Sequence, residues 1–181
     1  DSTWLLSVSR DRQWALFKRD SDDTESPYKL HQLMKPHARI IWSCSWSPDS
    51  RFFVTGSRDK KLMTWTQDAE TQKWNKIGLH AFKDAITAVA INTSMVTING
   101  TPSYLLALGF EKGEIHLMSS NLNGEEGFTW NPLHIIHPFI SHSSQVKKLA
   151  FRPANSIHDS IQLASCSSDT SVRIFDVKLS L

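Results

Sequence analysis

The sequence is poor in the residues that announce chemistry. Only two cysteines, Cys44 and Cys166, stand among its 181 residues. They lie far apart, each inside an apparent strand. They do not make a disulfide framework, and we read free thiols in a reducing compartment. No apolar run approaches the roughly 18 residues of a membrane span, and no signal-peptide pattern opens the chain. Excess charge is almost absent too. The formal net charge is +2, so any basic function must come from a local patch and not from the chain as a whole. There is no G-x-S-x-G, no Gly-rich phosphate loop ending in Lys-Ser/Thr and no H-E-x-x-H, which removes the common hydrolase, nucleotide and zinc-protease readings. His134 and His137 are the nearest approach to a metal pair. On a strand they face opposite sides, so neither metal nor cofactor is expected. Asn92-Thr-Ser and Asn99-Gly-Thr match the glycosylation pattern, which chance supplies often. The chain begins with Asp and runs at once into a strand pattern, so we expect a piece of something longer.

What remains is an ordinary globular composition, 40% hydrophobic and 21% charged, arranged as a repeat. Residues 5–17 read Leu-Leu-Ser-Val-Ser-Arg-Asp-Arg-Gln-Trp-Ala-Leu-Phe. Residues 53–65 read Phe-Val-Thr-Gly-Ser-Arg-Asp-Lys-Lys-Leu-Met-Thr-Trp. Residues 163–175 read Leu-Ala-Ser-Cys-Ser-Ser-Asp-Thr-Ser-Val-Arg-Ile-Phe. Each has a Ser two before an Asp (Ser9 and Asp11, Ser57 and Asp59, Ser167 and Asp169) and an aromatic six after it (Phe17, Trp65, Phe175). A weaker copy spans 105–118. There the apolar phase of Ile115 and Leu117 puts Lys112 at the Asp position, with Glu111 one residue early. The spacings are 48, 53 and 57 residues, above the roughly 40–45 usual for such units, so the loops are long.

Each copy predicts two alternating strands around a tight polar turn. A further strand precedes two of them, opened by His37 (before 41–46) and His142 (before 146–151). In the middle copy Ile86 to Ile91 fills this role, with His80 two residues out of register. Outer strands follow at 28–34, 73–79 and 130–136. Four strands per unit in a repeating array is a β-propeller blade. The expected fold is therefore all-β: about three and a half four-stranded blades of a larger ring. Residues 1–36 form a partial blade, 37–79 and 80–139 two full blades, and 140–181 a blade lacking its last strand.

His, Ser and Asp together invite the idea of a catalytic triad. In a repeat, a buried hydrogen-bond network that fixes each turn is the stronger reading. His37, Ser57, Asp59 and Trp65 form the full set. The other blades lack parts: Phe17 and Phe175 have no indole N–H, and the middle blade has Lys112 for Asp. Those blades are expected to rely more on packing. The turns also carry charge. Arg10 and Arg12 flank Asp11; Arg58, Lys60 and Lys61 flank Asp59; Lys112 and Arg39 share the face. The acidic residues Asp20, Asp22, Asp23 and Glu25 fall at the other end of their strand. A basic stripe suits phosphate or an acidic protein surface. No aromatic interleaves with it, so base reading is not expected.

The wording of three stretches is more specific. Ser-Val-Ser-Arg-Asp-Arg-x-Trp (7–14), His-x-Arg-Ile-Ile-Trp-Ser-Cys-x-Trp-Ser-Pro-Asp-Ser (37–50) and Thr-Gly-Ser-Arg-Asp-Lys-Lys (55–61) resemble the C-terminal region of a WD-repeat family, the second subunits of the Elongator complex. Leu-Ala-Ser-Cys-x-x-Asp (163–169) fits the same pattern, and Phe17, where Trp is common, departs from it. The resemblance implies two WD propellers in one chain, this being most of the second, with seven blades expected. It implies a non-enzymatic scaffold, cytoplasmic and also nuclear. Such a scaffold docks Elongator subunits 1 and 3 for modification of tRNA wobble uridines, the catalytic third subunit using S-adenosylmethionine, an iron–sulfur cluster and acetyl-CoA. No site for those cofactors stands in this chain. Arg10, Arg12, Arg39, Arg58, Lys60 and Lys61 fall in the matching motifs and are the expected contacts to partner subunits or tRNA. The alternative is a direct RNA-binding module that uses the same basic rim.

Overall fold

The computed structural model describes residues 3–20, 23, 25–121, 128–137, 139–153 and 160–179. Every regular element among them is a strand, and the strands form four antiparallel sheets. The first joins β1 (Trp4–Val8), β2 (Trp14–Arg19) and β3 (Tyr28–Met34). The second joins β4 (Ile41–Trp46), β5 (Phe52–Ser57), β6 (Lys61–Gln67) and β7 (Trp74–Ala81). The third holds β8 (Ile86–Ile91), β10 (Thr101–Phe110), β11 (Ile115–Ser120) and β12 (Asn131–Ile136), with β9 (Val96–Ile98) paired to β10. The fourth is β13 (Val146–Phe151), β14 (Ile161–Ser167) and β15 (Val172–Val177). These are blades one to four. The innermost strands β4, β8 and β13 pack side by side. This is the expected all-β propeller.

Three details differ from the sequence reading. β7 runs to Ala81, so His80 belongs to the outer strand of blade two and not to the opening of blade three. Phe82, four residues before β8, holds the place that His37 and His142 hold before β4 and β13. The Asn99-Gly100 pair is a hairpin turn. Both residues have positive φ (50° and 75°), Ile98 pairs with Thr101, and this is the primed turn whose twist suits two short strands. The signal for that hairpin was present in the sequence and was read only as a glycosylation pattern. The acidic Asp22 of the β2–β3 loop lies outside the described residues. Its neighbours Asp20 and Asp23 accept the Lys29 ammonium at 2.8 and 3.5 Å.

Strand alternation divides each inner strand between two neighbours. In β5, Phe53 faces blade one while Phe52 and Val54 face blade three. In β10, Tyr104, Leu106 and Leu108 face blade two while Leu105 and Ala107 face blade four. The seam between blades one and two is indole-rich. Trp14 meets Phe53 and Trp65 edge-on at 5.4 and 5.2 Å, and Trp4 meets Trp74 at 5.8 Å. The seam between blades two and three is aromatic as well, with Phe52 against Tyr104 and Phe128 at 4.8 and 5.0 Å. Tyr104 also donates its hydroxyl to the Asp49 carboxylate at 2.5 Å. The seam between blades three and four is mainly aliphatic, with Phe151 in it.

Two glycines set how closely these layers approach. At Gly56 an added Cβ would lie 2.6 Å from Ile86, and at Gly113 (φ +94°) it would lie 1.9 Å from the His142 carbonyl oxygen. Gly100 also has positive φ but nothing within 4 Å. Both φ values cost a Cβ something; only Gly113 adds a clash with backbone. We expect Gly113→Ala to destabilise by more than roughly 2 kcal/mol and Gly100→Ala by about 1 kcal/mol or less. Denaturant unfolding of the two variants checks this.

Candidate docking face

The four tight turns lie on one face, and backbone conformation puts them in register. The residue after the turn Asp is left-handed in blades one, two and four: Arg12 (75°), Lys60 (69°) and Thr170 (67°). In blade three that residue is Gly113, one after Lys112, which fixes Lys112 at the Asp position. Each Asp carboxylate caps its own turn. Asp11 accepts Gln13 N–H at 2.8 Å, Asp59 accepts Lys61 N–H at 3.1 Å and Asp169 accepts Ser171 N–H at 3.0 Å. The second oxygen reaches across to the opening of the same blade. Asp59 accepts Ala38 N–H at 2.9 Å, and Asp169 accepts Ser143 N–H at 3.0 Å.

Behind the turn of blade two runs a directed chain of hydrogen bonds. The Trp65 indole N–H donates to the Thr55 hydroxyl oxygen at 3.0 Å. Thr55 Oγ1 lies 2.9 Å from His37 Nε2, and His37 Nδ1 lies 3.0 Å from Asp59 Oδ2. With Nδ1–H donating to the carboxylate, Nε2 is left to accept from the threonine hydroxyl, which fixes the tautomer through its partners. Thr55 is the residue that sequence reasoning missed. Ser57 bonds neither His37 nor Trp65. It accepts the Asp59 N–H at 3.1 Å and donates to the Arg39 carbonyl at 3.2 Å, holding the turn to the opening loop from the other side. Burial, opposed by the Asp59 charge, lowers the His37 pKa below its ordinary 6.5.

Blade four keeps more of this network than its missing indole suggested. His142 bonds Asp169 at 3.0 Å and Ser165 at 2.7 Å, with Ser165 standing where Thr55 stands in blade two. The Ser171 hydroxyl, joined by backbone N–H groups and His142, holds the Asp169 carboxyl well below the usual carboxylate range. Blade three abandons the network as a unit. Phe82, Leu108, Phe110 and Met118 take the His, Thr, Ser and Trp positions, and three of the four are fully buried. A half-kept polar network would leave orphaned groups, so wholesale replacement by apolar residues is the cheaper solution. One bond survives with its direction reversed. The Lys112 N–H in the turn donates at 2.9 Å to Asp84, a carboxylate supplied by the opening loop.

The turns of blades one, two and three are also tied to the next blade. The Ser9 carbonyl accepts Ile41 N–H at 3.3 Å, the Lys60 carbonyl accepts Phe82 N–H at 2.8 Å, and the Gly113 carbonyl accepts the Ser141 hydroxyl. On this rigid rim Arg10, Arg12, Arg39, Arg58 and Lys60 are exposed and Lys61 is half-buried. None has an ion pair with an acidic side chain among the described residues. The backbones of Arg10, Arg39 and Arg58 lie close together, because Ser9 and Arg58 both bond the Ile40–Ile41 backbone. Among the described residues no group of three or more His, Cys, Asp or Glu could hold a metal ion. Burial pushes the Cys44 thiol up to about 11, so no thiolate is present at neutral pH.

The profile of the family described as WD domain, G-beta repeat matches residues 28–66 and 131–176. Elongator complex protein 2 of Drosophila melanogaster is 40% identical over 190 residues, and that of Dictyostelium discoideum 36% identical over 187 residues. They cover 99% and 98% of this chain. The chain is a WD-repeat propeller similar to Elongator complex protein 2. It spans about a fifth of the length of these two relatives, 22% and 21%. The solved structure of Saccharomyces cerevisiae Sqt1 shares the fold, with a TM-score of 0.71 at 15% identity over 96% of this chain and 41% of its own. The stretch between the two profile matches contains β8 to β11, the part where the polar network is replaced.

Asp59→Ala strips acceptors from the Lys61 and Ala38 N–H groups and from His37. We expect a loss of roughly 1–3 kcal/mol in stability, read as a lower melting temperature. The depressed His37 pKa has a definite sign. The unfolded chain binds a proton near pH 6.5 and the folded chain does not, so stability is present above that pH and falls as pH drops below it. Comparing melting temperatures at pH 7.5 and 5.5, the fall is smaller in His37→Gln than in the unaltered protein.

Proposed function

We propose that this chain is a non-catalytic docking segment of an Elongator subunit. The carrying observation is the basic rim, a row of arginines and lysines, all but Lys61 exposed and none ion-paired to an acidic side chain among the described residues, on a face stiffened by bonds from blade to blade. The left-handed Arg12 and Lys60 hold their turns in a fixed conformation, which presents their charge from a defined backbone position. In this reading Arg10, Arg12, Arg39, Arg58, Lys60 and Lys61 contact Elongator subunits 1 and 3. The chain itself performs no chemistry and supports wobble-uridine modification of tRNA by assembling the machinery that does. The chemistry of the rim suits an assembly that works in cytoplasm and nucleus, where thiols such as Cys44 and Cys166 stay reduced.

A second reading has specific support in the same cations. Unpaired arginines on a rigid rim also suit phosphate, making the face a direct tRNA contact. Changing Arg10, Arg12 and Arg58 to Ala in the full-length protein separates the two. Under the docking reading, affinity capture followed by mass spectrometry loses subunits 1 and 3 while the melting temperature holds. Under the phosphate reading both subunits stay, and tRNA affinity falls together with the steepness of its salt dependence. If the unaltered protein captures neither subunit, the Elongator assignment is wrong.

A further inference from the structure

Seven tryptophans are present, and six are engaged with another ring. Trp4, Trp14, Trp46, Trp65, Trp74 and Trp130 each make at least one aromatic contact. Trp42 makes none. It has no indole hydrogen bond among the described residues, and at 39% it is the one tryptophan among the exposed large apolar residues. Nothing in its own chain explains it as core.

Its backbone setting is unusual as well. Ile41 pairs with Ser57 and Ser43 pairs with Gly56, which leaves Trp42 as the extra residue of a β-bulge. The same irregularity recurs at the same register in the next two inner strands, at Thr87 in β8 and Lys147 in β13. Thr87 is buried, bonding the Gly109 and Val146 carbonyls at 3.1 and 2.7 Å. Trp42 and Lys147 are exposed. Bulges re-aim side chains, often beside functional sites. Here they sit at the turn-face end of the innermost strands.

The backbones of three arginines lie close to the strand segment that carries Trp42. Arg58 N–H donates to the Ile40 carbonyl at 2.9 Å, the Ser9 carbonyl beside Arg10 accepts Ile41 N–H at 3.3 Å, and Arg39 lies three residues before Trp42. None of the three arginines has an ion pair or a side-chain hydrogen bond among the described residues. A part-exposed indole at the same end of the blade as unpaired arginines is the combination that binds single-stranded nucleic acid: stacking holds a base while cations hold the phosphates on either side. We propose that Trp42 is a stacking platform for an unpaired nucleobase of RNA. This proposal rests on the phosphate-binding reading of the rim and revises the expectation that no aromatic joins the basic stripe.

The test uses the full-length protein and two labelled probes of about twelve nucleotides, an oligouridine and an abasic sugar–phosphate oligomer, followed by fluorescence anisotropy. Trp42→Ala is expected to weaken oligouridine binding roughly 5- to 100-fold and to leave the abasic oligomer unchanged. Trp42→Phe, which keeps a ring and stands in if the alanine variant fails to fold, retains most of the affinity for oligouridine. The double change of Arg39 and Arg58 to Ala weakens both probes and flattens the salt dependence. Equal oligouridine affinity with and without the ring, or an equal loss on both probes, overturns the stacking platform. So does loss of subunits 1 and 3 from Trp42→Ala with oligouridine affinity intact, which makes Trp42 a protein anchor. If the arginine variant changes neither probe, the phosphate reading fails too; if it weakens both while Trp42→Ala changes nothing, only the platform fails.

Discussion

The carboxylate bridge between turn and blade opening is the interaction on which the rest depends. In blades two and four one oxygen of the turn Asp closes the turn on its own backbone and the other reaches the N–H that opens the blade, 21 residues away for Asp59 and 26 for Asp169. That bridge makes four strands one unit. Without it the turn and the innermost strand would be joined only by ladder bonds, and the rim would have no fixed height. The histidine behind the carboxylate extends the same connection inward. Blade three shows that the bridge matters more than the residue that provides it. When the turn lost its Asp, the opening loop supplied Asp84, and a hydrogen bond of the same length closes the same gap from the opposite side.

Much of this was legible in the sequence, because the repeat carries its own register. Three copies of Ser-x-Asp with a following aromatic gave the turns, their common face and the alternating strands. What failed did so where the copy departs from its pattern. His80 was drawn into blade three because a histidine was sought there, yet its backbone continues the outer strand of blade two. Thr55 was passed over because Ser57 occupies the repeated position, whereas the inward-facing hydroxyl lies one alternation earlier. Ser165 repeats the same placement, so comparing 55 with 165 would have found it. Asp84 was invisible to any search for a turn Asp, because nothing in a linear pattern marks a carboxylate that works from across the gap.

The rim and the exposed tryptophan follow from one architectural fact. A propeller puts its turns and the ends of its inner strands on the same face. Charge placed in the turns and a side chain re-aimed by a bulge therefore share one face although they are distant in sequence. Arg10 and Trp42 belong to different blades, and a single backbone bond between Ser9 and Ile41 brings them together. The left-handed Arg12 and Lys60 continue the same rim.

The seams between blades give the ring a graded mechanical profile. Because each blade touches only its neighbours, the stability of such an array approximates a sum of blade terms and nearest-neighbour terms. Between blades one and two the neighbour term is carried by interlocked indoles, each aromatic pair worth about 0.5–1.5 kcal/mol beyond its burial. Between blades three and four it is carried mainly by aliphatic side chains, with Phe151 among them and Thr87 as a polar rivet. Under strain or heating, opening begins at the aliphatic seam, and blades one and two, which carry Trp42 and most of the rim cations, remain together as the last cooperative unit.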